Sequence, residues 1–220
     1  DYVSDDEART TLLDNIEREA LAEPRIIRFT AGKRQRMWEK NCIAIGLSGG
    51  FLEPLESTSI YLIQAAIMKL IERFPDREFC ATDRDDYNAQ IGQAFEQVRD
   101  FIILHYKATT RDDSEFWRYC RNMTVPDLLD YRMQTFRESG HVIFSQRELF
   151  IETNWISVFL GQDVIPERTN LRVDCISGNK INAQMGQMRD VIKRAVTSMP
   201  RHEETVSRYC AADSPALGAQ

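Results

Sequence analysis

Residues 42–60 read Cys-Ile-Ala-Ile-Gly-Leu-Ser-Gly-Gly-Phe-Leu-Glu-Pro-Leu-Glu-Ser-Thr-Ser-Ile. The first five residues are apolar or glycine, a pattern typical of a strand that is buried on both faces. Gly49 and Gly50 follow, and they permit a close approach of the backbone to its neighbours. Pro54 stiffens the end of this loop, and an apolar stretch begins soon after it. The segment therefore predicts a buried strand, a glycine-rich loop and a helix.

The start of this helix is suited to holding an anion. The first backbone N–H groups of a helix have no partner within it and lie at the positive end of its dipole. Ser57 or Thr58 can cap the helix, and the amides of Thr58 and Ser59 are the expected donors to the anion. Glu56 adds a carboxylate that can act as a general base or bind a cationic or N–H group. A purely structural interpretation stays open, because Glu-x-x-Glu before a helix can merely complement the dipole.

Outward from this segment, the chain is mixed in its first part and helical in its second. A helix is predicted over 5–21, and strands over 25–29 and 34–38. Two or three strands do not make a stable sheet alone, so further strands are expected upstream. The fold class is therefore an α/β remnant followed by a mainly α region, and residues 213–220 predict a frayed end. Later helices are predicted over 57–74, 83–106, 114–122, 125–139, 149–160 and 181–195.

Composition and charge exclude several classes of protein. The formal charge is −6 over 220 residues, which disfavours a nucleic-acid binder. The longest apolar run, Ile60 to Ile71, is interrupted by Gln64 and Lys69, so no membrane span or partner membrane is expected. No secretory leader is visible. The chain has five cysteines and no Cys-x-x-Cys motif. This pattern predicts reduced thiols that lie mostly in the core, and a cytoplasmic protein. None of the three histidines pairs at i, i+4, so no metal site is predicted.

Two motifs resemble those of the flavin-dependent tryptophan halogenases. Residues 41–60 resemble the family's N-C-x-x-I-G-x-S-x-x-F-x-E-P-L-E-S-T-G-I segment. Residues 105–117 read His-Tyr-Lys-Ala-Thr-Thr-Arg-Asp-Asp-Ser-Glu-Phe-Trp and resemble its H-Y-x-x-x-x-R-D-D-x-x-F-W segment. The similarity is good over about 41–117 and looser elsewhere. Both motifs are long, so the resemblance is specific.

The resemblance implies the C-terminal portion of an enzyme with two domains. Residues 1–80 would complete an FAD-binding domain, and residues 81–220 would form a helical domain on the substrate side. Such enzymes use reduced FAD from a separate flavin reductase, O₂ and a halide to halogenate an indole or related aromatic compound, and a homodimer is possible. The family's G-x-G-x-x-G, its W-x-W-x-I-P and its catalytic lysine are absent from this chain. The isolated chain is therefore expected to be inactive.

The resemblance also assigns roles to individual residues. Glu56 would be catalytic and would bind the substrate together with Ser57. Thr58 and Ser59 would form the halide site, and the backbones of Leu47 and Ile60 would lie against the flavin ring. Ser59 replaces the family's usual glycine, so a positive φ at this position would be strained.

The substrate is expected to differ from free tryptophan. Enzymes acting on free tryptophan carry Tyr-Tyr and Phe-Trp pairs in their C-terminal half, and residues 147–161 lack both pairs. A different indole or a larger aromatic compound is therefore favoured. Two alternatives stay open: a flavin-dependent aromatic hydroxylase, and a helical interaction module without catalysis.

Overall fold

The computed structural model describes residues 3–144 and 148–210. Within these residues the chain forms two compact units, which divide between Arg168 and Thr169. The predicted domain boundary at residue 80 concerns the whole enzyme and stays a prediction. The described helices are α1 (Asp5–Asp14), α2 (Thr58–Glu72), α3 (Ala81–Lys107), α4 (Glu115–Asn122), α5 (Asp127–Ser139), α6 (Glu152–Gly161), α7 (Leu171–Asp174), α8 (Gly178–Ser198) and α9 (His202–Tyr209).

The first unit is built around α3, which contacts α2, α4, α5 and α6. One stripe of α3 is buried, and it recurs at the spacing of three or four residues that places side chains on one helical face. Its members include Tyr87, Ile91, Phe95, Val98 and Phe101. The predicted mainly helical organisation of the later chain is therefore confirmed.

The strands are short and pair differently from the prediction. They are β1 (Gly32–Lys33), β2 (Trp38–Glu39), β3 (Cys42–Ile43) and β4 (Gly50–Phe51). Strand β1 pairs antiparallel with β4, and β2 pairs antiparallel with β3. The predicted strand over 25–29 is wrong, and of the predicted strand over 34–38 only Trp38 lies in a strand, β2.

Asn88 on α3 explains part of this difference. Its side chain accepts hydrogen bonds from the backbone N–H groups of Met37 (2.7 Å) and Trp38 (2.8 Å) and donates to the carbonyl of Trp38 (2.9 Å). These bonds satisfy backbone groups that a longer ladder would otherwise pair. Trp38 is 1% exposed and packs edge-on against Tyr87. The chain near Trp38 is therefore fixed by α3 rather than by a neighbouring strand.

The segment predicted as a strand buried on both faces is only partly a strand. Pairing ends at Ile43, and Gly46 (φ 69°) turns the chain into a short 3-10 helix, Gly46–Ser48. Cys42 is exposed, as are Cys80, Cys175 and Cys210, while Cys120 is buried. The expectation that most cysteines lie in the core is therefore wrong for the described part of the chain.

Helices α1 and α2 begin where the sequence indicates. Ser4 accepts a hydrogen bond from the N–H of Glu7 (3.2 Å), as the capping pattern predicts. Helix α1 ends at Asp14 rather than near 21, because none of its residues is buried to anchor a further turn.

Helix α2 buries Thr58, Leu62 and Ala66, spaced four residues apart. Its remaining apolar face is exposed, so the prediction of a helix buried all round is wrong in this chain; the exposed residues are Ile60, Ile67, Met68 and Ile71.

Helix α6 closes the core at the end of the first unit. Trp155 is 0% exposed and lies beneath the guanidinium of Arg132, 4.6 Å from the ring centroid. Arg132 in turn pairs with Glu148, and both side chains are 3% exposed. Trp155 is therefore a core residue and is not available to stack on a ligand.

The second unit contains α7, α8 and α9. The predicted amphipathic helix is present as α8, and its apolar residues, Met185, Met188, Ile192 and Val196, are exposed. Within the described ranges, no helix is long and apolar enough to cross a bilayer. Residues 213–220, predicted to be frayed, lie outside the described residues.

Candidate active site

The glycine-rich loop packs too closely on its neighbours for a side chain at Gly50. A Cβ built there would lie 2.7 Å from the carbonyl oxygen of Gly32, 2.9 Å from Cα of Lys33 and 2.9 Å from the Phe95 ring. Real Cβ atoms essentially never approach other atoms within 3.0 Å. Gly50 therefore allows the loop to pair with β1 and to lie directly on α3.

A small cavity of about 30 Å³ lies between this loop and the start of α2. Thr58 and Ser59 line it, as do Leu47 and Gly49 on the loop. One water requires about 10–15 Å³ measured in this way, so the cavity has room for one small anion. Ser57 occupies the capping position of α2, and its side chain makes no capping bond to the first turn. Thr58 and Ser59 thus both border this cavity, and their role in holding a halide there stays a prediction.

The backbone strain in this segment lies before the helix. Glu56 (φ 62°) and Ser57 (φ 51°) both adopt left-handed conformations, which are unfavourable for residues with a Cβ. Ser59 lies in the first turn of α2 and has no positive φ. The expected strain at Ser59 is therefore not present, and the serine fits this backbone as a glycine would.

Two carboxylates of the loop meet two successive residues of α3. Oε1 of Glu56 lies 3.3 Å from Nε2 of His105. The hydroxyl of Tyr106 lies 3.0 and 3.1 Å from the two carboxylate oxygens of Glu53, to which it donates. Burial, followed by this contact with Glu53, raises the pKa of Tyr106 to about 12. The two motifs found in the sequence are therefore in direct contact.

The surroundings of Glu56 are partly open to solvent. Its side chain is 40% exposed, and Leu55 beside it is also exposed. His105, which contacts it, is only 18% exposed. The sequence places His105 and Tyr106 in the second motif, but nothing in their spacing shows that they face the loop.

The rest of the second motif fixes the end of α3 against α4. The ammonium group of Lys107 donates to the carbonyls of Arg121 (2.8 Å) and Met123 (2.7 Å), at the C-terminal end of α4. Arg111 pairs with Asp113 (2.7 Å) and lies 4.4 Å from the centroid of the Trp117 ring. The bonds from Lys107 thus fix the end of α3, directly after His105 and Tyr106, against the end of α4.

The two residues predicted to lie against a flavin are both exposed. The exposed fraction is 77% for Leu47 and 64% for Ile60. Leu47 also lines an open groove of about 720 Å³ that carries Phe29 and the cationic Lys33 and Arg34. An apolar surface beside a helix start fits the ring of a flavin. Among the described residues, no group of three His, Cys, Asp or Glu side chains is placed to hold a metal ion.

Comparison with known proteins identifies the family. Residues 1–177 match the family described as tryptophan halogenase. The chain belongs to this family. It is 30% identical to the 7-chloro-L-tryptophan 6-halogenase KtzR of Kutzneria sp. (strain 744) over 94% of its own length and 41% of the relative's length.

Two solved structures of flavin-dependent halogenases show the same fold. Xcc4156 from Xanthomonas campestris is 41% identical with a TM-score of 0.91, over 98% of this chain and 43% of that structure. BrvH from Brevundimonas sp. BAL3 is 40% identical with a TM-score of 0.88, over 93% of this chain and 42% of that structure. The chain therefore corresponds to less than half of a complete halogenase, in agreement with the predicted C-terminal portion.

Proposed function

We propose that the complete protein is an FAD-dependent halogenase acting on an indole or related aromatic compound. The observation that carries this proposal is the cavity at the start of α2, with Glu56 only two residues before Thr58. One short segment thus presents an anion-sized space and a carboxylate. Family membership supports the use of FAD and a halide, with Leu47 and Ile60 against the ring.

The residues of this chain contribute binding and electrostatics to the reaction. The amides at the start of α2, from Thr58 and Ser59, hold the halide in the cavity. Reduced FAD and O₂, when present, supply the oxidation of the halide to hypohalous acid. Reaction of this acid with the aromatic ring forms a carbon–halogen bond and releases water. The ring becomes positively charged in between, and the Glu56 carboxylate stabilises that charge and accepts the proton, while Ser57 contacts the substrate.

The substrate is proposed to be an indole or another aromatic compound rather than free tryptophan. BrvH and Xcc4156, which are 40% and 41% identical to this chain, are named only as flavin-dependent halogenases. Trp155, in the region where the aromatic pairs are absent, is buried in the core. We further propose that a separate flavin reductase supplies the cofactor, and that the enzyme is cytoplasmic and forms a homodimer.

The test is halogenation by the full-length enzyme. With a flavin reductase, FAD and an indole, the product mass should change when bromide replaces chloride, and it should not rise by a single oxygen. Glu56→Gln keeps the shape of the side chain and removes its charge, so kcat should fall on the order of 10²-fold. Glu53→Gln is the matched control in the same loop and should have a smaller effect. Near wild-type kcat in Glu56→Gln would refute the role given to Glu56.

The isolated 220-residue chain should show no turnover in the same assay. It contains none of the family's dinucleotide fingerprint and lacks the catalytic lysine. Measurable halogenation by this chain alone would contradict the proposal that turnover needs residues outside this chain.

A further inference from the structure

Both ring nitrogens of His105 face hydrogen-bond acceptors. Nδ1 lies 2.8 Å from the carbonyl oxygen of Phe101, and Nε2 lies 3.3 Å from the Glu56 carboxylate. A carbonyl oxygen only accepts, so Nδ1 carries a hydrogen. A neutral imidazole has one N–H, and its Nε2 would then present a lone pair to a carboxylate. The contact is attractive only when one proton lies between Nε2 and the carboxylate.

The position of the His105 ring is fixed by the core. The ring of Phe101 lies edge-on to it at 4.9 Å. Phe101 is 2% exposed and packs on Phe150 and Trp155 at centroid distances of 3.7 and 5.0 Å. The bond from Nδ1 to the carbonyl of the preceding helical turn also fixes the rotation of the ring. Nε2 is therefore directed at the loop by groups that do not belong to the loop.

The other charged groups near this end of α3 have partners of their own. Glu53, on the same loop, is held by Tyr106. Arg99 and Asp100, one turn before His105, pair with each other at 2.7 Å. Among the described residues, Glu56 is the charged group for which a contact with the imidazole is observed.

We propose that His105 is a positioning residue for Glu56, and that the two side chains act as a pair that holds one proton. In this pair His105 fixes the direction of the carboxylate, because its own ring is held by Phe101. The inference rests on the proposed function. When the halogenated ring loses its hydrogen, the C–H bond breaks, its electron pair returns to the ring and the proton moves to the Glu56 carboxylate. The pair then holds two protons, and one leaves to solvent from the partly exposed Glu56 or His105.

The first test uses kinetics of the full-length enzyme. His105→Phe should lower kcat about as much as Glu56→Gln, on the order of 10²-fold, with little change in the KM values for halide and substrate. The double variant should be no worse than either single variant, because the two residues act together. His105→Gln can still donate a hydrogen bond to Glu56, so it should recover part of the kcat that His105→Phe loses. His141→Gln, at an exposed histidine, is the matched control and should change nothing.

The second test is independent of activity. Nitrogen NMR of the full-length protein labelled at histidine should show His105 with a proton at Nδ1 and a second proton bound to or shared at Nε2. Glu56→Gln should remove the signature at Nε2. Wild-type kcat and pH profile in His105→Phe would overturn the inference while the proposed function stands. If the wild-type enzyme does not halogenate, the proposed function fails. Independently of activity, an NMR spectrum that shows no proton at Nε2 of His105 would overturn the inference.

Discussion

Gly50→Ala should destabilise the protein through a clash that the structure defines. The new methyl carbon would lie 2.7 Å from the carbonyl oxygen of Gly32, whereas ordinary contact begins at 3.4 Å, so the atoms must separate by about 0.7 Å. The backbone of Lys33 and the ring of Phe95, both at 2.9 Å, prevent an easy shift to either side. Overpacking of this kind costs about 1–3 kcal/mol.

The matched control is Gly32→Ala, in the strand that pairs with β4. No atom lies within 4 Å of a Cβ built at Gly32, and its φ is not positive. The two variants make the same chemical change in one ladder, so the comparison isolates the clash. Thermal unfolding of the full-length enzyme should show a lower Tm for Gly50→Ala, by about 2–4 °C for each kcal/mol in a domain of 150–250 residues. Gly32→Ala should leave Tm nearly unchanged.

The same variant tests the cavity beside the loop. Phe95 lines the cavity, so pressure on its ring should also raise the KM for halide. Equal Tm values for Gly50→Ala and Gly32→Ala would refute the close approach of the loop to β1 and α3. A lower Tm without any change in the KM for halide would instead show that the packing of the loop does not affect halide binding.

Two further predictions concern the halide cavity and the tyrosine. Ala66→Val adds bulk to the wall of the cavity and should raise the KM for halide, and overpacking should also destabilise the protein by about 1–3 kcal/mol. Thr58→Val keeps the backbone amide and should change the KM for halide little. An equal increase of this KM in Thr58→Val and Ala66→Val would contradict binding of the halide by the backbone. In an absorbance titration, Tyr106→Phe should remove the group that ionises near pH 12. The pKa of Tyr106 is raised from 10.0 to about 12 in the folded protein. The stabilising contribution of the neutral hydroxyl should therefore be complete below pH 10 and be lost as the pH rises toward 12. An unchanged titration curve near pH 12 in Tyr106→Phe would contradict this assignment.

Local patterns were sufficient to locate the helices of the first unit and the loop before α2. The stripe from Tyr87 to Phe101 lies in one helix, so its spacing alone predicts the buried face. The start of α2 at Thr58, directly after the loop, also follows from residues that are close together in the chain. These features depend on residues close together in the chain.

Features that depend on distant residues could not be predicted. The pairing of β1 with β4 and the role of Asn88 beneath Trp38 join segments far apart in sequence. The contact between His105 and Glu56 is of the same kind. The exposed face of α2 has another cause: its apolar residues predict burial, and this chain covers less than half of the related halogenases.

The direct contact between the two motifs has a consequence for the construction of chimeric halogenases. His105 and Tyr106 are neighbours on one rigid helix, and their partners Glu56 and Glu53 are three residues apart on one loop. The register of loop and helix is therefore shared, and an insertion of one residue in α3 just before His105 would turn both side chains away from their partners together. A segment exchanged between related halogenases should carry residues 41–60 and 105–117 from the same parent.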